Sequence, residues 1–196
     1  MREDPETLVP NAPDRGRAVF VDRDGTLNPD VRYMSRPEQL EVFRGVAQGL
    51  RWLRAHGYRI ICVTNQSGIE RGLYSEGDVA AIHARLNDLL EREGTRVDAF
   101  YYCPHAPQNG CRCRKPGTEL FERAQATYGI DFSASAIIGD RPLDVQAGDR
   151  LGLTTAVVRS PGREVEQREE FRALRVVPDV TAYSFPAAAA RLLARG

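Results

Sequence analysis

Short apolar runs alternate along the chain with longer stretches in which apolar residues recur every three or four positions. The short runs predict strands at 18–22, 58–64, 99–103, 135–139 and 154–159, and a further edge strand at 175–180. Between the first two strands, Val46, Leu50 and Leu53 lie on one face of a helix over 45–56, which Gly57 closes. The next helix is capped by Asp78, carries Val79, Ile82, Leu86 and Leu89 as its buried stripe, and ends before Gly94. A third helix over 117–128 stops at Gly129, and a short fourth runs to about Leu151. Residues 162–174 are polar enough for an exposed helix, and Ser184 caps a closing helix over 185–194. Strands spaced by helices predict β-α-β units in an α/β, three-layer arrangement with a mainly parallel sheet. No internal repeat, linker or inserted cap interrupts it. Residues 1–16 read as a flexible leader and residues 17–196 as a single domain.

Composition narrows the function classes. The 27 basic and 27 acidic residues cancel, which argues against a nucleic-acid surface. No apolar run approaches the roughly 18 residues that a membrane span needs, and the leader has no signal-peptide core. The expectation is a cytoplasmic monomer, without nucleic-acid or membrane partners, acting on a small metabolite. Cys62 sits in an apolar strand and reads as a buried free thiol. Cys103, Cys111 and Cys113 cluster with His105, and in a reducing compartment that pattern favours a metal over disulfides. Three thiolates and one imidazole make a complete tetrahedral set, which points to structural Zn2+; the alternative is ordinary surface thiols. The ion would staple a loop poor in apolar residues and fix Arg114 and Lys115, which follow it.

The first strand ends in two carboxylates, Asp22 and Asp24, followed by Gly25 and Thr26. Residues two apart in extended chain point the same way, so the pair asks for a divalent cation; a bare Asp-x-Asp also serves as a turn or cap. Thr64 to Gly68 ends the second strand, either as a turn or as a hydroxyl brought to the same sheet edge. Lys115 precedes a helix and alone reads as a surface charge. Asp140 ends the fourth strand, and Asp144 one turn later is open as a ligand, an outer partner or a helix-dipole residue. His56 and His83 read as surface or rim residues.

Taken together, Asp-Arg-Asp-Gly-Thr-Leu-Asn from Asp22, Thr-Asn-Gln-Ser-Gly-Ile-Glu-Arg-Gly from Thr64, Cys-Pro-His-Ala-Pro from Cys103, Cys-Arg-Cys-Arg-Lys-Pro from Cys111 and Gly-Asp-Arg-Pro-Leu-Asp from Gly139 resemble the zinc-containing, capless branch of the haloacid-dehalogenase (HAD) phosphatases. Its members include D-glycero-D-manno-heptose 1,7-bisphosphate 7-phosphatases and histidinol-phosphate phosphatases. The stretch 65–72 and Asn28 stand nearer the heptose enzymes, whereas the short His105–Cys111 spacing and Arg141 depart from them. The resemblance implies a Rossmann-like HAD fold and Mg2+-dependent hydrolysis of a phosphomonoester through an aspartyl-phosphate. It makes Asp22 the nucleophile and Asp24 the general acid and then base. Mg2+ is then held by Asp22, the Asp24 carbonyl and Asp140, with Asp144 as a further possibility, and Thr64 and Lys115 hold phosphoryl oxygens. Asn65, Arg71, Arg114 and Arg141 are the expected substrate-binding residues, since a bisphosphate needs a second anion site. The loop 28–36 is expected to wall the site. The expected reaction removes the 7-phosphate of the heptose bisphosphate in nucleotide-heptose biosynthesis. A histidinol-phosphate or broader sugar-phosphate phosphatase is the alternative. A non-catalytic zinc-stapled binding module is the alternative of another class, though it has no need of Asp22, Asp24, Lys115 and Asp140 together.

Overall fold

The computed structural model describes residues 16–159 and 162–195; the leader expected over 1–16 lies, apart from Gly16, outside them. Six strands, β1 (Ala18–Val21), β2 (Arg59–Asn65), β3 (Ala99–Cys103), β4 (Ala136–Gly139), β5 (Thr154–Val158) and β6 (Val180–Ala182), form one sheet in the order β3-β2-β1-β4-β5-β6. Every pairing is parallel. The helices are α1 (Val46–Ala55), α2 (Glu76–Glu91), α3 (Glu119–Tyr128), α4 (Pro142–Leu151), α5 (Glu164–Leu174) and α6 (Phe185–Leu193).

A parallel sheet is covered on both faces, so its central strand is an unbroken apolar run. In β1 every residue is buried. Val19 and Val21 enter the core formed with α1, α2 and α6. Ala18 and Phe20 face the opposite way, against Leu120 and Phe121 of α3 and Ala147 of α4. Phe20 meets Phe121 edge-on at 4.9 Å between ring centroids, a geometry that aligns the positive ring edge with the negative face. The chain leaves β1 toward β2 on one side and β4 on the other, and that reversal opens a crevice at the carboxyl ends of β1 and β4. Asp22 and Asp140 are the residues that follow those two strands.

Local chemistry moves several expected boundaries. Helix α2 starts earlier, because Ser75 is its cap: Ser75 Oγ accepts from the Asp78 amide at 3.2 Å and the Asp78 carboxylate accepts from the Ser75 amide at 2.7 Å. Asp78 is thus the third helical residue of a reciprocal capping box. The buried stripe of α2 runs through Leu90 instead of Leu89, and it includes His83. The edge strand begins at Val180, not at 175, since Arg175 adopts φ 53° and Val177 is 83% exposed. The Asp179 carboxylate accepts from the Thr155 amide and hydroxyl, both at 2.9 Å, and so docks β6 on β5. Helix α5 is exposed as expected except at Gln167, whose amide donates to the carbonyls of Asp140 and Val158.

Ser75→Ala is expected to cost about 1 kcal/mol of stability, the usual worth of a serine cap. Urea unfolding of Ser75→Ala and Asp78→Ala measures this, and a larger loss for Asp78→Ala would return the cap to Asp78.

Candidate active site

At the crevice, carboxylate oxygens of Asp22, Asp140 and Asp144 all lie within 4.8 Å of one another, and all three residues are buried. Lys115 reaches into them from the loop before α3. Its ammonium stands 2.6 Å from Asp22 Oδ1, 2.6 Å from Asp144 Oδ1 and 2.6 Å from the Val63 carbonyl. Two of its donors are hydrogen-bonded, to Asp22 and Val63, and it forms an ion pair with Asp144. Burial opposes its charge, but Asp144 and Asp22 outweigh burial and hold the Lys115 pKa above its ordinary value. Burial is also the main influence on Asp22, helped by the charges of Asp144 and Asp24 and opposed by Lys115, and its pKa is pushed up to about 7. One ammonium faces three carboxylates, so it does not by itself neutralise the cluster.

The donor set fits a divalent cation, since hard cations take carboxylate oxygens. Two glycines make the cluster sterically feasible. Gly25 has φ +87°, and a Cβ there would fall 2.4 Å from Asp140 Oδ2; a Cβ on Gly139 would fall 2.3 Å from the Asp144 carboxylate. Asp144 also closes the capping box of α4, its Oδ2 accepting from the Arg141 amide at 3.0 Å.

Asp24 has a different setting. Its Oδ1 accepts from Arg23 Nε at 3.2 Å and Asn28 at 3.0 Å, and its Oδ2 accepts from Arg23 Nη2 and Gln66, both at 2.9 Å. Burial pushes its pKa up, yet Arg23 and the hydrogen bonds prevail and hold it below the ordinary value. Its side chain is thus gathered by a guanidinium and two amides, and the acidic cluster is formed by Asp22, Asp140 and Asp144. Arg23 is 1% exposed, and its Nη1 lies 3.2 Å from His83 Nε2. His83 is not a surface residue: its ring stacks on Phe100 at 4.2 Å, and burial together with Arg23 pushes its pKa down to about 3. The neutral imidazole can accept the Arg23 hydrogen bond. Thr64 is buried at the same edge, with its Oγ1 accepting from Gln66 at 2.8 Å, and Tyr74 donates to Gln66 Oε1 at 2.7 Å. Sequence reading missed Arg23, Gln66, Tyr74 and His83 as site residues. Arg23 and Gln66 carried a local signal, since Arg23 stands between the two carboxylates of the first motif and Gln66 lies within the Thr64 motif.

The four cysteine-loop residues also come together. Cys103 Sγ is 3.5 Å from Cys111 and 3.2 Å from Cys113, and His105 Nδ1 is 3.6 Å from Cys103 and 3.2 Å from Cys113. A tetrahedral zinc with bonds of about 2.0–2.3 Å places its ligands at comparable separations. The Thr64 loop is laced to this one: the Gln66 amide donates to the Cys103 carbonyl at 2.8 Å, and Glu70 accepts from the Ala106 amide and from Asn109. Asn65 accepts from the Lys115 amide at 3.0 Å and donates to its carbonyl at 3.3 Å.

A cleft of about 530 Å3 opens over Asp22. The loop 28–36 walls it through Asp30, Val31, Arg32, Tyr33 and Met34, and α5 adds Glu170 and Leu174. Arg114 and Asn65 line it, and Arg114 Nη1 donates to the His105 carbonyl at 3.2 Å. Arg141 also lines it but is gripped by acids: Asp30 at 2.9 Å, Glu170 at 3.2 Å and Asp140 at 3.4 Å. Arg71 is exposed and outside the lining, with its guanidinium 5.9 Å from the Tyr33 ring.

A HAD-hydrolase-like family model matches residues 112–183. A Rhodopseudomonas palustris protein named D-glycero-beta-D-manno-heptose-1,7-bisphosphate 7-phosphatase is 37% identical over 74% of this chain and 84% of its own length. A Haemophilus ducreyi protein of the same name is 36% identical over 80% of this chain and 90% of its own. Among solved structures, D,D-heptose 1,7-bisphosphate phosphatase from B. bronchiseptica, complexed with magnesium and phosphate, superposes with a TM-score of 0.80 at 27% identity, covering 92% of this chain and 99% of that one.

The raised Asp22 pKa carries a stability prediction for metal-free protein. An unfolded aspartate titrates near 3.8 and the folded one at about 7. Protonated Asp22 therefore stabilises the fold below pH 4, and that contribution is lost as pH rises through 7. In chelator-treated buffer, Asp22→Asn is expected to gain stability relative to the wild type as pH rises from 4 to 8. Urea unfolding across that range reads the difference, and a constant offset between the two proteins would contradict it.

Proposed function

The chain belongs to the D-glycero-D-manno-heptose-1,7-bisphosphate 7-phosphatase family of HAD-like hydrolases, and on that footing we propose that it removes the 7-phosphate of D-glycero-D-manno-heptose 1,7-bisphosphate in nucleotide-heptose biosynthesis. The observation that carries the reading is the buried lysine bridging Asp22 and Asp144 at the mouth of β1. Phosphate monoesters hydrolyse extremely slowly unaided, so a site for them needs charge neutralisation and alignment more than covalent novelty.

In this scheme an Asp22 oxygen attacks phosphorus in line with the sugar oxygen. The Asp22–phosphorus bond forms as the phosphorus–oxygen bond to the sugar breaks. Asp24 gives a proton to the departing alkoxide and later takes one from the water that cleaves the aspartyl-phosphate. Its resting carboxylate accepts four hydrogen bonds, so Asp24 takes up a proton from solvent as substrate binds before it acts as the acid. Lys115 balances Asp22 and the incoming phosphoryl oxygens, with Asp144 orienting the ammonium. Thr64 donates to a phosphoryl oxygen. Asp22 and Asp140 are the residues that would hold Mg2+, together with the Asp24 carbonyl. When bound, the ion supplies charge neutralisation between the carboxylates and the phosphoryl group.

Arg114 is the leading residue for the second phosphate, with Arg71 further out beside Tyr33. Asn65 acts by setting the Lys115 backbone, and Arg141 by joining the loop 28–36 to α5. The Cys103, His105, Cys111 and Cys113 set would hold a structural Zn2+, since four protein ligands leave no open position. No helix among the described residues is long and apolar enough to cross a membrane. We assign the activity to a cytoplasmic monomer acting on this small phosphorylated sugar.

Asp22→Asn is expected to lower Mg2+-dependent phosphate release on the order of a thousandfold or more, as removal of a nucleophile does; release that survives the change removes Asp22 from that role. The ratio of kcat/KM values for the two anomers of the heptose bisphosphate and for histidinol phosphate tests the substrate. A higher value for histidinol phosphate overturns the assignment. Metal analysis is expected to find one zinc per chain, lost in Cys113→Ser.

A further inference from the structure

The hydrogen bonds around Gln66 tie two parts of the reaction together through one side chain outside them, Tyr74. Gln66 Nε2 lies 2.9 Å from Asp24 Oδ2 and 2.8 Å from Thr64 Oγ1, and its Oε1 lies 2.7 Å from the Tyr74 hydroxyl. An amide turned the other way would aim its oxygen at the Asp24 carboxylate, two acceptors face to face. The amide nitrogen therefore faces Asp24, and its two protons serve Asp24 and Thr64. Tyr74 reinforces that choice. With the amide so placed, its Oε1 can only accept, and the Tyr74 hydroxyl donates to it. Since Thr64 Oγ1 accepts from Gln66, the Thr64 proton is left to point into the cleft, where a phosphoryl oxygen would take it.

The seat of Tyr74 is itself a close fit. A Cβ on Gly68 would fall 2.2 Å from Tyr74 Cε1, so any larger residue there displaces the ring. Gly68 and Gln66 belong to the loop that follows β2, whereas Tyr74 stands just before the Ser75 cap of α2. The loop thus folds back on itself, and its closing contact is this hydrogen bond. Tyr74 also lines the cleft, yet the contact that matters for chemistry is the one to Gln66.

We propose that Tyr74 and Gln66 are positioning residues, with Tyr74 orienting the Gln66 amide so that one side chain sets both the Asp24 carboxylate and the Thr64 hydroxyl. The proposal rests on the phosphatase reading for the roles of Asp24 and Thr64, but the orientation of the amide does not. Tyr74→Phe removes one oxygen and keeps the ring. It is expected to lower kcat about tenfold while KM stays within about threefold, with Tm unchanged within about 2 °C. Gln66→Leu is expected to lower kcat further. In the double variant the loss is expected to match Gln66→Leu alone, because Tyr74 acts only through Gln66. Gly68→Ala, which evicts the ring, is expected to reproduce Tyr74→Phe.

Multiplying losses in the double variant, or a Tyr74→Phe enzyme with wild-type kcat, would overturn the relay. A substrate-free measurement separates it from the functional assignment. In 15N-labelled protein the Gln66 side-chain amide resonances are expected to shift and exchange faster with solvent in Tyr74→Phe, and unchanged resonances overturn the proposal. Should the wild type cleave no phosphomonoester, the proposed function fails and the amide resonances still decide the relay.

Discussion

The ammonium of Lys115 is the interaction on which the arrangement of the site depends. Taking carboxylates out of water is costly, and without a counter-charge they protonate or separate. Lys115 bridges Asp22 and Asp144 at 2.6 Å each and ties both to the Val63 carbonyl at the end of β2. Removing one partner of such a buried set typically costs about 3–5 kcal/mol, because the remaining charges are stranded. The bridge still leaves negative charge over, because three carboxylates face that one ammonium and the nearby Arg141 is shared with Asp30 and Glu170. That surplus is a demand for further positive charge in the same small volume. A phosphoryl group alone would aggravate it, which is why the donor set points to a cation.

Lys115 comes to this position from a loop, not from a helix or strand, so its placement has to be imposed. Asn65 grips its backbone from both sides, amide and carbonyl. Cys113 lies two residues before it within the thiol and imidazole cluster. Glu70, from the same loop as Asn65, accepts from Ala106 and Asn109 on the cysteine loop. The stretch after β2 and the stretch after β3 are therefore one unit. Loosening the cysteine cluster would reach Asp22 through the two residues of chain that join Cys113 to Lys115.

The parts legible in the sequence were those that local chemistry specifies. Apolar runs located β1 to β5, and the residues following β1, β2 and β4 had to gather at one edge once the strands ran parallel. The cysteine spacing placed four ligand atoms within a short loop. What was not legible depends on side chains meeting across the fold. His83 sits at an ordinary helical position, and only the packing of α2 on β3 reveals that Phe100 covers it and Arg23 meets it. Gln66 and Tyr74 are eight residues apart with no periodicity linking them. Helix α5 read as polar surface, yet Glu170 and Leu174 line the cleft. Ser75 and Asp78 are both good capping types, and only the reciprocal hydrogen bonds between them show which one is the cap.

The cleft also has an uneven distribution of charge, and this bears on how a bisphosphate would lie in it. Arg141 is surrounded by Asp30, Glu170 and Asp140, so its positive charge is spent within the protein. Arg114 is anchored by a neutral carbonyl, that of His105, which leaves its charge uncancelled by that contact. Under the proposed function a second phosphate would therefore lie toward Arg114 and away from the wall formed by Asp30 and Glu170. Arg114 is also the residue immediately before Lys115. In that reading the distance between the reacting phosphoryl group and the distal anion would be set by consecutive residues of one loop. The same loop that places the counter-charge for Asp22 would thus measure the length of the substrate, and a change in its geometry would alter substrate choice and phosphoryl transfer together.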